Sequence, residues 1–142
     1  MTRGTTRAGL ELMHGKVTSG IIGAFYDSYN ELGFGYAESL YVKALAIELE
    51  TRRFTFGREV PLNVRYKGTI IGEFRADLIV DECVIAECKS VDRLIPAHDS
   101  QVINYLKSTG ITVGLILNFS PTPSFRRLLF TSSPAGASII RA

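Results

Sequence analysis

The chain has 142 residues, of which 46% are hydrophobic and 21% are charged, and its formal net charge is +2. These values are typical of one soluble globular domain, and no apolar run approaches the roughly 20 residues that a membrane-spanning helix needs. The small net charge does not by itself indicate nucleic-acid binding, and residues 1–15 lack the apolar core of a signal peptide, so we expect a cytoplasmic protein.

The pattern along the chain indicates a single domain over residues 16–130, between a loose segment at 1–15 and a tail at 131–142. Apolar residues at helical spacing predict one helix over residues 17–32 and another over 37–51. The spacing then changes to alternation, which predicts strands in FTFGREV, PLNVRY, TIIGEFRADLIV and CVIAECK.

After a break at Pro96, residues 97–109 are predicted to form a helix that Gly110 ends. Two further strands are predicted, a buried one in TVGLILNF and a short one in RRLLF. The predicted order is α-α-β-β-β-β-α-β-β. Its strand–helix–strand unit favours an α/β (α+β) fold in which helices flank a mixed sheet.

Charged residues follow the apolar run of the fourth predicted strand, where Glu87 and Lys89 lie one residue apart and point to the same face. Buried charges are costly unless they are paired or bind a metal ion. Either this strand runs out into solvent, or the two residues belong to a functional site.

The preceding strand decides between these alternatives through its register. A three-residue loop at residues 81–83 pairs Asp77 with Glu87, whereas a two-residue loop would put these acids on opposite faces. The hydrophobic pattern selects the three-residue loop, because it gathers all the apolar residues on one face: Phe74, Ala76, Leu78, Val80, Val84, Ala86 and Cys88.

Opposed residues of a hairpin have Cβ atoms about 5 Å apart, so Asp77 and Glu87 would repel each other unless a cation lay between them. A hard divalent ion with oxygen ligands is the natural partner. On spacing alone, a solvent-facing surface with ion pairs among Arg75, Asp77, Glu87 and Lys89 explains the pattern at least equally well.

Other segments carry weaker signals. In QVINY, Gln101 and Tyr105 lie one helical turn apart and together can hold a water and a phosphate oxygen. Glu38 lies in the first turn of a predicted helix, where the helix dipole favours a carboxylate in any case. Cys83 and Cys88 fall on opposite faces of one predicted strand, so we expect two free thiols and no zinc site.

The segment GYAESLY matches the pattern Gly-x-x-Glu-x-x-Tyr, and the likeness continues in order through YKGTIIGEFRADLIV, VIAECKSV, HDSQVINYLKSTG and VGLILNF. On these motifs, which cover roughly residues 16–130, the chain resembles the GxxExxY proteins. That family is a branch of the PD-(D/E)XK nuclease superfamily, similar in motif style to its lambda-exonuclease-like members. The resemblance implies a restriction-endonuclease-like core.

The resemblance also implies a set of metal ligands. Asp77 stands for the motif's Asp, with Ala76 where many relatives have Pro, and residues 87–89 stand for Glu-x-Lys. The implied cofactor is Mg²⁺ or Mn²⁺, bound by Asp77, Glu87 and the backbone carbonyl of Cys88. Glu38 matches the family's helix carboxylate and would bind the metal directly or through water.

The remaining matched residues imply roles in hydrolysis. Lys89 would orient the attacking water, Gln101 would position that water or Lys89, and Tyr105 would contact a phosphate. The implied partner is nucleic acid, with DNA as the expected substrate. The alternative is a non-catalytic module that binds nucleic acid or a protein. The sequence does not fix the oligomeric state, and a homodimer is compatible with it.

Overall fold

The computed structural model describes residues 14–133 and 136–141, with side chains through residue 131. Within these residues, three helices and six strands follow one another in the order α-α-β-β-β-α-β-β-β. The helices are α1 (Gly15–Leu32), α2 (Glu38–Thr51) and α3 (Pro96–Thr109). The strands are β1 (Phe56–Tyr66), β2 (Thr69–Val80), β3 (Val84–Lys89), β4 (Val113–Asn118), β5 (Ser124–Ser133) and β6 (Gly136–Arg141).

The helices begin and end where local chemistry favours it. α1 buries Ile21 and Phe25, one turn apart, and ends before Gly33, whose φ is 69°. α3 begins at Pro96, because the fixed φ of proline suits the first helical position. It ends at Gly110, which takes the left-handed conformation that glycine adopts without strain.

The described strands form one mixed sheet in the sequential order β1 to β6. β3 and β4 are parallel and are connected through α3, whereas every other neighbouring pair is antiparallel. This confirms the predicted fold class, in which helices flank a mixed sheet. None of the helices in the described part of the chain is long and apolar enough to cross a membrane.

The order of the elements differs from the predicted one at two places. The segments FTFGREV and PLNVRY form the single strand β1, because Pro61 lies in an edge strand, where a residue without an N–H is tolerated. At the other end, residues 131–133 extend β5, and β6 pairs with β5 within the segment that was expected to be a tail. Residues 1–13 of the expected N-terminal segment lie outside the described residues.

The core has two layers, one on each face of the sheet. On one face, residues of α1 and α2 such as Phe25 and Leu45 pack with Leu115 of β4. On the other face, α3 packs Leu106 against residues such as Ile116. The sheet therefore holds α3 in a fixed position relative to the ends of β3 and β4.

α3 lies very close to the sheet at Gly114 of β4. A Cβ atom at this position would lie 2.5 Å from Cγ1 of Val102, which is closer than side chains can approach. The missing side chain thus sets the depth at which the helix packs. The polar residues on α3 are thereby held near the end of β3.

β2 turns its side chains from one face to the other at Asp77. Leu78 belongs to the core layer beneath α1 and α2. Ala76 belongs to the layer beneath α3, and the ring centroids of Phe74 and Tyr105 are 5.5 Å apart. Residues 76 and 78 of a regular strand would share a face, so the prediction of one continuous apolar face along β2 is wrong. The part of the β1–β2 hairpin between Asp77 and the turn that joins the two strands therefore lies against α3.

Candidate active site

The β2–β3 hairpin has the predicted register. Val80 pairs with Val84 across the loop of residues 81–83, and the backbone ladder ends one pair before Asp77 and Glu87. The three-residue loop is therefore confirmed. The two acids occupy the first positions beyond the ladder, where β2 and β3 form a fork.

The two carboxylates take the place of ladder bonds in the fork. Oε1 of Glu87 accepts a hydrogen bond from the backbone N–H of Asp77 at 2.7 Å. Oδ2 of Asp77 accepts one from the backbone N–H of Cys88 at 2.9 Å. Each acid thus binds the backbone of the opposite strand, which fixes both side chains and occupies one oxygen of each carboxylate.

Glu87 is only 3% exposed. Its burial, followed by the charge of Asp77, raises the pKa of Glu87 to about 9, and the positive charge of Lys89 opposes the shift. The solvent-facing alternative is therefore wrong for Glu87. Arg75 does not neutralise this acid either, since its ion pair is with the exposed Glu73, at 3.8 Å.

A line of three polar side chains leads from β3 to α3. Nζ of Lys89 donates a hydrogen bond to Oε1 of Gln101 at 2.7 Å, and Nε2 of Gln101 donates one to the Tyr105 hydroxyl at 2.9 Å. Because an ammonium group has only donors, Oε1 has to face Lys89 and the amide NH₂ has to face Tyr105. This is the contact that a role of Gln101 in positioning Lys89 requires.

Tyr105 is 3% exposed, and its pKa is raised by burial and then by the charge of Glu87. Its ring packs against Phe74, and its hydroxyl is bonded to Gln101. This environment differs from the predicted phosphate contact. A phenol buried in this way supports the amide of Gln101.

Glu38 lies outside the contacts that join Asp77 to Glu87. It is the exposed first residue of α2 and lines a groove of about 600 Å³ together with Asp92. Burial is the main cause that raises the pKa of the Cys88 thiol, and Glu38 is one of the carboxylates whose charge adds to the shift. Glu38 therefore lies near enough to Cys88 for its charge to act on the thiol, without a described hydrogen bond or ion pair to the site.

Among the described residues, no group of three or more His, Cys, Asp or Glu side chains is arranged to hold a metal ion. The structure thus brings together two of the three predicted acidic ligands. The thiols add no further site: Cys83 and Cys88 are both free, as predicted. Cys83 lies in the hairpin loop, however, whereas a position in the strand was expected.

The sequence pattern did not identify Asn118 as a residue of the site. It ends β4 directly beside Lys89 in the parallel register. Its Oδ1 accepts a hydrogen bond from the Val91 N–H at 3.1 Å, and its Nδ2 donates one to the Val91 carbonyl at 2.9 Å. The amide therefore holds the chain that follows Lys89. A polar residue after an apolar run, as in β3, was the available signal.

An ion pair between a buried acid and a partly exposed arginine ties α3 to β5. Oδ2 of Asp99 accepts a hydrogen bond from Nη1 of Arg126 at 2.8 Å, and Asp99 is 1% exposed. Arg126 and Arg127 form one of two basic clusters of adjacent arginines in the sequence, and Arg52 and Arg53 form the other. In the other cluster, Arg52 forms ion pairs with Asp27 and Glu48. Arg126 and Arg52 thus both have structural partners.

The donor set in the fork fits a hard divalent cation. The carboxylates of Asp77 and Glu87 and the backbone carbonyl of Cys88 supply oxygen, which Mg²⁺ and Mn²⁺ prefer over nitrogen and sulfur. A cation between the two acids would favour the charged form of Glu87, whose pKa is raised by burial and then by the charge of Asp77. The two acids and this carbonyl are the residues that would hold such an ion.

A family model described as the PD-(D/E)XK nuclease superfamily matches residues 15–128. The matched span begins at α1, runs into β5 and includes all the residues of the fork and of the polar line. Comparisons with curated proteins and with solved structures gave no significant match. Assignment to the narrower GxxExxY family stays a prediction.

Proposed function

Because this chain belongs to the PD-(D/E)XK nuclease superfamily, we propose that it is a metal-dependent nuclease that hydrolyses phosphodiester bonds, with DNA as its substrate. Nucleases of this superfamily generally use divalent metal ions. The observation that carries the proposal is the pairing of the buried Glu87 with the half-buried Asp77, each hydrogen-bonded to the backbone of the other's strand beside Lys89.

The proposed ligands are Asp77, Glu87 and the carbonyl of Cys88. Bound there, Mg²⁺ or Mn²⁺ would polarise the scissile phosphate and lower the pKa of an attacking water. The backbone N–H groups already orient both carboxylates, so little rearrangement is needed. Glu38, at the start of α2, is the third proposed acid and would bind the metal directly or through water; its charge, like those of Asp77 and Glu87, adds to the raised pKa of the Cys88 thiol.

Lys89 orients the attacking water and offsets the negative charge that develops on the phosphate in the transition state. Gln101 accepts one of the three ammonium hydrogens, which leaves the others for the water and a phosphate oxygen. Tyr105 holds the Gln101 amide in place. Lys89 therefore has a fixed position before substrate arrives.

The charge of the site predicts an order of binding. Asp77 and Glu87 together outweigh the single cation Lys89 once both acids are ionised. A divalent cation that binds displaces the proton that the raised pKa leaves on Glu87 at neutral pH, whereas the ionised acids without a cation repel a bare phosphate. Nucleic acid therefore binds productively after the metal ion.

A cleavage assay tests the proposal. We expect the wild-type chain to cut nucleic acid in millimolar Mg²⁺ or Mn²⁺ and to lose this activity in EDTA. Single- and double-stranded DNA and RNA should be compared in parallel. Glu87→Gln and Lys89→Met should each lower the rate by about 100-fold or more, since each removes a charge that acts on the transition state. Cleavage at the wild-type rate by Glu87→Gln would contradict the proposal.

A second candidate is a module that keeps the nuclease fold and binds nucleic acid or a protein without cutting. It is favoured by the small formal net charge of +2, which leaves little basic surface for holding DNA during cleavage. The same assay separates the two functions. Binding of an oligonucleotide without cleavage in any of the metal conditions would support the module.

A further inference from the structure

Two grooves open beside the candidate active site, and they carry opposite charge. The acidic groove, of about 600 Å³, lies between the start of α2 and the chain after β3, and its charged lining residues are Glu38 and Asp92. The hairpin groove, of about 390 Å³, lies between the β1–β2 hairpin and α3. Its lining includes Lys107, and Arg65 lines the adjoining depression. No acid is among the described residues that line either the hairpin groove or this depression.

One layer of side chains separates the hairpin groove from the site. Phe74 forms part of its wall, and the same ring packs against Tyr105. Tyr105 is bonded through Gln101 to Lys89. The groove therefore lies close enough to Lys89 for the strand that flanks a phosphate at Lys89 to reach it over the surface.

The floor of the hairpin groove is apolar and uncovered. Ile71 is 65% exposed and Phe74 is 39% exposed, and both line the groove with Val64. Large apolar side chains that are exposed together in this way favour contact with a partner. Apolar and aromatic faces accept bases and sugars, which stack without regard to sequence.

The cations of the groove remain available for phosphate. Neither Arg65 nor Lys107 takes part in an ion pair within the described residues. The Lys107 ammonium lies 5.7 Å from the centroid of the Phe130 ring, and Arg65 donates a long hydrogen bond of 3.4 Å to the Gly68 carbonyl. Both charges are thus held near the groove and are not neutralised.

We propose that the nucleic-acid strand flanking the scissile phosphate lies in the hairpin groove and avoids the acidic groove. Phosphates contact Arg65 and Lys107, and a base or sugar lies against Ile71 and Phe74. This inference rests on the proposed nuclease function and adds the path of the substrate. A second copy of the chain suits the groove less well, because a twofold interface would bring like charges together.

The test compares two charge-matched double variants of the full chain. Arg65→Gln/Lys107→Gln removes both groove cations, and Lys16→Gln/Lys43→Gln removes two exposed lysines from α1 and α2. The probes are labelled single- and double-stranded DNA oligonucleotides. Binding is measured by fluorescence anisotropy over a range of salt concentrations, and cleavage is measured in Mg²⁺.

We expect the groove variant to raise Kd and KM by about 10-fold, with kcat within about twofold of the wild type. The slope of log K against log salt should fall in magnitude by about 0.7 to 0.9 for each lost phosphate contact. The lysine control should change both quantities much less. Ile71→Ser should weaken binding severalfold and leave the salt slope unchanged, because it removes no charge.

Equal binding and equal salt slopes in the two double variants would overturn the proposal that the strand lies in the hairpin groove. Cleavage by the wild-type chain in the same experiment would leave the nuclease proposal standing. Failure of the wild-type chain both to bind and to cleave would overturn both proposals. A dimer in sedimentation that Ile71→Ser dissociates would make the groove a subunit interface and overturn this inference. Should the double variant fail to fold, Lys107→Gln alone provides the same comparison.

Discussion

Glu87 occupies a position in β3 where an apolar side chain would cost less. A carboxyl group this deeply buried is unfavourable unless its oxygens are satisfied. The Asp77 N–H satisfies one of them, but the nearby Asp77 carboxylate makes ionisation harder still. Groups whose pKa is strongly shifted by burial together with a charged neighbour are concentrated at functional sites. The cost of Glu87 is therefore best explained by a ligand that binds its charged form.

The raised pKa predicts how stability depends on pH. Without metal, a carboxyl whose pKa is higher in the folded than in the unfolded chain binds its proton more tightly when folded. Its contribution is fully present below the unfolded value of 4.5 and is lost as pH rises through about 9. The free energy of unfolding in EDTA should therefore fall over this range, and Glu87→Gln should flatten that fall. Urea unfolding at intervals of pH measures both, and parallel wild-type and variant profiles would contradict the prediction.

At the scale of the elements, the register of the β2–β3 hairpin could be predicted from the sequence. The change of side-chain direction along β2 could not. Of the two loop lengths considered, only the three-residue loop keeps Leu78 and Val84 on the same face, because a slip of one residue exchanges the faces. The change of face of β2 at Asp77 is accompanied by the packing of Phe74 against Tyr105 of α3. That contact joins segments far apart in sequence and leaves no local period to detect.

In α3, too, the local spacing could be predicted from the sequence and the long-range contact could not. The spacing of Gln101 and Tyr105 places both on one face, as predicted, because the helical period is local. The ion pair of Asp99 with Arg126 spans 27 residues, and nothing in the sequence near either residue points to the other. Position in a helix likewise could not tell where the carboxylate of Glu38 would lie.

The Asp99–Arg126 pair should be needed to hold α3 in place. Arg126→Met leaves the buried Asp99 carboxylate without this partner, so we expect a loss of about 2–3 kcal/mol in the free energy of unfolding. Gln101 follows Asp99 by two residues, so the kcat of cleavage should also fall, with KM less affected. Denaturant unfolding and steady-state cleavage measure these effects, with Arg93→Met as an exposed control. Equal stability of the two variants would show that other contacts hold the helix.

At the scale of the whole molecule, the site lies where the sheet opens. β3 and β4 are parallel and end side by side at Lys89 and Asn118. Open sheets with parallel strands bind ligands beyond the carboxyl ends of those strands. The net charge of +2 conceals an uneven distribution of charge around the site. Acids lie in the fork and the acidic groove, and cations lie along the hairpin groove.

This arrangement predicts that a divalent metal stabilises the whole fold, because the fork that binds it exists only in the native state. At a metal concentration about 100 times Kd the gain is about 2.7 kcal/mol. At roughly 2–4 °C for each kcal/mol, the midpoint of thermal unfolding should rise by several degrees. The Asp77→Asn/Glu87→Gln variant should gain little from the same Mg²⁺ or Mn²⁺. An equal rise in both proteins would show that the metal binds elsewhere, and the non-catalytic module would then explain the fold better than the nuclease does.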